Sequence, residues 1–274
     1  MKRSVFYHHV VCAAAQQNLP VETMLSKVRA LGIPYVELDN RDIRDPEALG
    51  RMLMTSRMQV SSIYCFYEWG RDPEDFQEWA QLANAKRLGA REVMVIPGLY
   101  DSEEKTEREK TRQRMLQAMK AFCERAGREG LTTTIEDFDD AKSPIATIEG
   151  MKWFADRIPL LKIVLDTGNF FYSGQDVRRA LTVFADRIVH VHCKDRYVGA
   201  EGERFGERTE SALGIGMYPC PTGSGCIPIR QCIEELSEKG FDGIYAIEHF
   251  GAADYWASIQ DSAKWLRGLS VAEA

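Results

Sequence analysis

The chain has 274 residues, 35 basic and 41 acidic, for a formal net charge of −6, with 45% hydrophobic and 28% charged residues. That length excludes a disulfide-stapled miniprotein and suits either two small domains or one α/β barrel of roughly 250 residues. The acidic balance argues against a partner held by its phosphate backbone, whose footprints are basic, and no run reaches the roughly 18 apolar residues of a membrane span.

The N-terminal Met1-Lys2-Arg3-Ser4 leads into an apolar run without a small-residue cleavage pattern, so it reads as a mature strand and not as a signal peptide. The first apolar run is Ser4–Cys12, which places His8 and His9 on a strand. A helix follows, opened by Pro20-Val21-Glu22 and closed near Gly32. The second run is Tyr35–Leu38, then a helix from Asp45-Pro46-Glu47 to about Arg57. The third is Gln59–Cys65, then a helix from Asp72-Pro73-Glu74 to Leu88. Proline near the first turn and acidic residues at the N-terminus suit the unpaired N–H groups and the dipole there.

The fourth run, Glu92–Ile96, ends at Pro97-Gly98 and precedes a charged helix over about Ser102–Glu129. In that helix Met115, Met119, Phe122 and Ala126 recur at helical spacing and read as core. The fifth run is Leu131–Ile135, followed by a helix from Pro144 to Arg157. The sixth is Leu161–Leu165, with a helix from Gln175 to Ala185. The seventh is Ile188–Val191. An irregular Gly-rich stretch, Gly199–Gly225, then leads to the helix Ile229–Lys239. The eighth is Gly243–Ile247, before a last helix over Asp254–Leu269.

No linker interrupts this alternation. Eight strand–helix units with none left over argue a parallel sheet closed into a single-domain α/β (β/α)8 TIM barrel over residues 1–274. An open doubly wound sheet would want a Gly-x-Gly-x-x-Gly turn after an early strand, and none is present. The seven cysteines are odd in number, scattered and free of Cys-x-x-Cys pairs, which reads as reduced thiols in a cytoplasmic protein. Cys220 and Cys226 are close in sequence but lack two partners at zinc spacing.

Catalytic groups of a barrel project from the C-terminal strand ends. Strands five to eight end on Glu136, Asp166, His192 and Glu248 at equivalent positions. Adjacent strands lie about 4.8 Å apart, so these ends converge, and three carboxylates together repel unless a cation neutralises them. The alternative is a purely structural polar cluster. Three oxygens and one imidazole suit one divalent metal, manganese before cobalt, magnesium or zinc. His190 shares the parity of His192 and lies one layer deeper. Lys194 has the same parity but has left the strand. Asp195 could orient the imidazole, against the simpler reading of Lys194 and Asp195 as a solvated charge pair.

The segments Thr-Ile-Glu136-Asp-Phe, Leu-Asp166-Thr-Gly-Asn169, His190-Val-His192-Cys-Lys-Asp195, Gly223-Ser-Gly225 and Gly243-Ile-Tyr-Ala-Ile-Glu248 together resemble the xylose-isomerase-like barrels. Within these the chain resembles the sugar phosphate isomerase/epimerase group, with its ketose 3-epimerases, hydroxypyruvate isomerase and inosose dehydratase. The resemblance implies Glu136, Asp166, His192 and Glu248 as ligands of one divalent metal, and Glu136 and Glu248 as the acid/base pair. Many members carry a histidine three residues after the metal aspartate. Asn169 stands there and cannot titrate near neutrality. The substrate arginine of some members has its nearest match in Arg196, with Arg204 and Arg208 farther out. Five histidines and the acidic charge disfavour the related apurinic endonucleases, which bind three zinc ions.

The first half should shape the pocket. Glu37 ends strand two, and Tyr64, Phe66, Tyr67 and Trp69 follow strand three as candidate faces for a sugar, or as loop packing. Met217, Tyr218 and Pro219 are candidates for a lid. The chain is thus expected to isomerise or epimerise a small carbohydrate, a ketose or keto-sugar, through an enediolate. A lyase of inosose-dehydratase or 3-keto-glycoside-cleaving type is the alternative, and a non-catalytic sugar-binding barrel or complex subunit the third. Neither nucleic acid nor membrane is expected as a partner, and a homo-oligomer is possible.

Overall fold

A strand buried on both faces needs no alternation, and short runs such as Val-Met-Val-Ile and Lys-Ile-Val-Leu have the composition of parallel strands covered by helices. In the computed structural model, which describes residues 1–73 and 77–271, these runs become β1 (Lys2–Phe6), β2 (Tyr35–Asp39), β3 (Gln59–Phe66), β4 (Glu92–Ile96), β5 (Thr132–Ile135), β6 (Lys162–Asp166) and β7 (Ile188–Tyr197). A hairpin of β8 (Thr209–Glu210) and β9 (Gly216–Cys220) precedes the last strand, β10 (Ile244–Glu248). Strands β1 to β7 pair in order, all parallel, and β10 pairs in parallel with both β7 and β1, closing an eight-stranded barrel.

The surrounding helices are α1 (Tyr7–Gln16), α2 (Val21–Ala30), α3 (Pro46–Thr55), α4 (Gln77–Leu88), α5 (Lys105–Arg128) and α6 (Ile148–Ala155). They continue with α7 (Asn169–Tyr172), α8 (Val177–Phe184), α9 (Ile229–Glu238) and α10 (Tyr255–Val271). Local chemistry accounts for several starts. The Asp45 carboxylate accepts from the N–H groups of Glu47 and Ala48 ahead of Pro46, Thr147 caps α6 and Asp176 caps α8. Part of the expected start of the helix after strand three, at Glu74, lies outside the described residues. Met115, Met119, Phe122 and Ala126 are buried on the face of α5 that packs between helices and sheet.

Two expectations are corrected. The run Ser4–Cys12 is not one strand: it splits after Phe6, and His8 and His9 lie on α1. Three consecutive alanines support that helix, and its packing against α2 and α10 outweighs the β-branched Val10 and Val11. Strand seven does not stop at Val191. It runs to Tyr197 because Asp195, Arg196 and Tyr197 pair antiparallel with Cys220, Pro219 and Tyr218 of β9. Met217 and Tyr218 are consequently buried strand residues, not a lid. All seven cysteines are free thiols. Among the described residues no helix is long and apolar enough to cross a membrane.

Candidate metal centre and active site

The C-terminal ends of β5, β6 and β10 and the middle of β7 bring one atom each from Glu136, Asp166, His192 and Glu248 within 4.8 Å of one another, all four residues buried, and the register places Lys194 of β7, not His192, beside Glu248. His192 Nδ1 lies 2.6 Å from Glu136 Oε2, 3.3 Å from Glu248 Oε2 and 3.9 Å from Asp166 Oδ2. Asp166 Oδ1 is committed to the N–H groups of Gly168 and Asn169, at 2.7 Å each. Asp166 Oδ2 and Glu248 Oε2 are buried without a hydrogen-bond partner; the contact of Glu248 with Nδ1 is an ion-pair approach without hydrogen-bond geometry. Three converging carboxylates, two of whose buried oxygens have no hydrogen-bond donor, beside one imidazole form a ligand set that a divalent cation takes, and the oxygen-rich composition suits a hard or borderline ion.

The imidazole is held from below. His192 Nε2 lies 3.1 Å from Glu37 Oε2, and the same oxygen lies 3.3 Å from His190 Nε2, whose Nδ1 is 3.0 Å from Glu92 Oε2. Burial alone would raise the Glu37 carboxyl, but His192 and His190 hold it down at about 2. Burial works against a charged His190, yet Glu37 and Glu92 lift it to about 9. The same balance raises His192 well above the usual imidazole range. Glu37 is fully buried beneath the cavity and contacts Nε2 of His192 on the side away from Glu136, so that Nδ1 faces Glu136, Asp166 and Glu248. It does not end strand two, since Asp39 does.

Above the four carboxylate and imidazole groups opens a cavity of about 460 Å³. Of the residues expected to meet substrate, Asn169, Arg196 and Tyr64 line it, whereas Glu37, Trp69 and Asp195 do not. Trp69 turns outward from the barrel, stacked on Tyr67 at 4.2 Å between centroids and packed near Phe122, so it belongs to the core. Asp195 points behind the strand. Its carboxylate accepts from the N–H groups of Gly223, Gly225 and Ile227 at 2.8, 3.0 and 3.2 Å. It anchors the glycine-rich loop, and it does not orient His192. A side chain at position 225 would collide with Asp195 and with the Arg196 carbonyl, which explains the glycine.

Lys194 carries more than its sequence setting suggested. Still inside β7, it is buried, and its Nζ donates to Asn169 Oδ1 at 2.6 Å and sits 2.8 Å from Glu248 Oε1. Burial opposes its charge, but Asp139, Glu248 and Asp166 raise its pKa. In turn burial would raise Glu248, and Lys194 with His192 instead holds it well below the usual carboxylate range. Glu136 moves the other way, raised chiefly by burial. Asp139, Arg41 and Phe250 also line the cavity and were not singled out from sequence. Asp139 lies three residues beyond Glu136 in an acidic run, but the path of that loop is not encoded in any period.

The family described as xylose isomerase-like TIM barrel matches residues 25–269. An inosose dehydratase of Lacticaseibacillus casei is 22% identical over 248 residues, covering 85% of this chain and 83% of that protein. The L-ribulose-5-phosphate 3-epimerase UlaE of Escherichia coli strain K12 is 26% identical over 186 residues, 67% of this chain and 59% of that protein. Among solved structures, the IOLI protein with a binding zinc atom superposes with a TM-score of 0.74 at 16% identity, over 99% of this chain and 97% of that one, a likeness of fold. With a match across nearly the whole chain and a closed eight-stranded barrel to go with it, this protein belongs to the xylose isomerase-like TIM barrel family.

Proposed function

We propose that the chain is a divalent-metal-dependent isomerase or epimerase of a ketose or keto-sugar, working through an enediolate. The observation that carries this is the convergence of Glu136, Asp166, His192 and Glu248 at the floor of a cavity that Glu136 and Glu248 both line. A bound divalent ion, manganese by the preference of an oxygen-rich set, would polarise the substrate carbonyl and acidify the neighbouring C–H. Glu248, kept ionised by Lys194 and His192, is the group to take a proton. Glu136, raised by burial, is the group to hold and return one. Two carboxyls driven apart in this way can serve opposite faces of one carbon. Lys194 steadies Glu248 and keeps Asn169 aimed at the cavity. Seven free thiols fit a reducing compartment.

A second reading is a dehydratase of the same site. The inosose dehydratase relative favours it, and so does the Lys194 ammonium, which lies at the cavity wall where a departing hydroxyl would need a proton. Elemental analysis and deuterium uptake from solvent test both readings. One divalent ion per chain is expected, together with uptake at the carbon next to a ketone. Glu248→Gln should abolish exchange and lower metal content. Loss of water from the ketone would select the dehydratase. Absence of metal from the purified protein, with none bound on titration, would overturn the proposal.

A further inference from the structure

The proposed reading does not say whether the substrate carries phosphate, and the charges around the cavity decide it. Three cationic side chains line the cavity, and each already has an anion. Arg41 grips Asp39 with two nitrogens, Nε at 3.0 Å and Nη2 at 2.6 Å, while its guanidinium lies 4.3 Å over the Phe66 ring. Arg196 is 2.8 Å from Asp139, and Lys194 is 2.8 Å from Glu248. Glu136 and Asp42 also line the wall, so carboxylates outnumber cations there. A divalent ion held by the four-residue set would bring this balance near neutrality without leaving a surplus for a phosphate dianion. Outside the mouth, Arg204 and Arg208 are likewise paired, with Glu201 and Glu210.

The backbone donors tell the same story. Barrels that bind phosphate commonly do so with N–H groups of the loops after the seventh and eighth strands and at a short helix start. Here the N–H cradle of Gly223, Gly225 and Ile227 after β7 is filled by Asp195. The N–H groups of Gly168 and Asn169, at the entry to α7, are filled by Asp166. These two sets of N–H groups close on the chain's own carboxylates.

Aromatic rings line the same cavity. Phe250, Phe6, Tyr64, Phe66 and Phe138 form an unbroken arc, with successive ring centroids 5.2, 5.6, 6.1 and 5.8 Å apart, and all five line the cavity. Such an arc fits the C–H face of a six-membered ring. We infer that the substrate is an uncharged ketone, either an unphosphorylated keto-sugar or the ketone of a cyclic polyol, lying with its C–H face against this arc and its carbonyl toward Glu136 and Glu248. The inference rests on the proposed enediolate chemistry.

The test uses the full chain loaded with manganese and reads deuterium uptake from solvent by NMR. The probes are D-fructose against D-fructose 6-phosphate, L-ribulose against L-ribulose 5-phosphate, and scyllo-inosose. Uptake is expected in at least one uncharged ketone, with any phosphorylated partner slower by about tenfold or more in kcat/KM, and with inorganic phosphate in excess leaving the rate unchanged. Phe250→Ala should raise KM about five- to tenfold at nearly constant kcat. Faster exchange with a phosphorylated partner, or competition by inorganic phosphate, would overturn the inference while leaving the enediolate reading intact. Exchange with no ketone in metal-loaded protein removes that reading and the inference with it.

Discussion

Each ionisable side chain on the barrel axis is set by its neighbours more than by its own chemistry, and Glu37 shows this best. Held at about 2 by His192 and His190, its carboxylate adds stability that is complete above the ordinary carboxyl value of 4.5 and is lost as pH falls toward 2. His190, lifted from 6.5 to about 9, adds stability that is complete below pH 6.5 and is lost as pH rises toward 9. The buried Asp137, raised by burial and by Asp166 and Glu136, loses stability in the same alkaline direction. Metal-free protein, prepared with a chelator, is therefore expected to be more stable near pH 4.5–6.5 than at pH 9. Denaturant midpoints measured across pH 4.5 to 9 check this, and Glu37→Gln should flatten the alkaline fall. A midpoint that climbs steadily to pH 9 would contradict the arrangement. At this scale the convergence of Glu136, Asp166, His192 and Glu248 was readable because parity and spacing are local, although His192 sits mid-strand in β7 and not at its end. Glu37 and Lys194 were not weighed correctly, because their partners stand on other strands and loops, Asn169 being 25 residues from Lys194 and His192 155 from Glu37.

Among elements, the strand–helix alternation was legible throughout, and the failures fell where tertiary pairing extends or cuts an element. Strand β7 continues because β9 lends it hydrogen bonds, and α1 forms where a strand was expected because helices α2 and α10 cover it. Trp69 belongs to the same lesson. It follows β3 beside Tyr64 and Phe66, yet it turns to the helix layer against Tyr67 and Phe122. Trp69→Ala should cost about 3–5 kcal/mol of stability, the usual penalty for emptying an aromatic site in a core. KM for the ketone should not change at temperatures where the variant is folded. A raised KM in a normally stable variant would return Trp69 to the substrate wall.

For the molecule as a whole, stability and the metal centre are linked, because the four-residue set exists only when β5, β6, β7 and β10 are closed into the barrel. A metal at a hundred times its dissociation constant would add about 2.7 kcal/mol, and a chain of this length shifts by about 2–4 °C per kcal/mol. Removing the ion with a chelator should thus lower the melting temperature by about 5–10 °C. An unchanged melting temperature would mean that no such ion is held. The sequence by itself determined the fold class, the eight repeats and the residue types at the four converging strand positions, since periodicity, turn chemistry and parity are properties of neighbouring residues. Only the tertiary structure decided which charges are paired, which N–H groups are filled and which aromatics face the cavity. Those depend on contacts between distant strands, such as Asp195 with its glycine loop and Phe250 with Phe6, that no local pattern encodes.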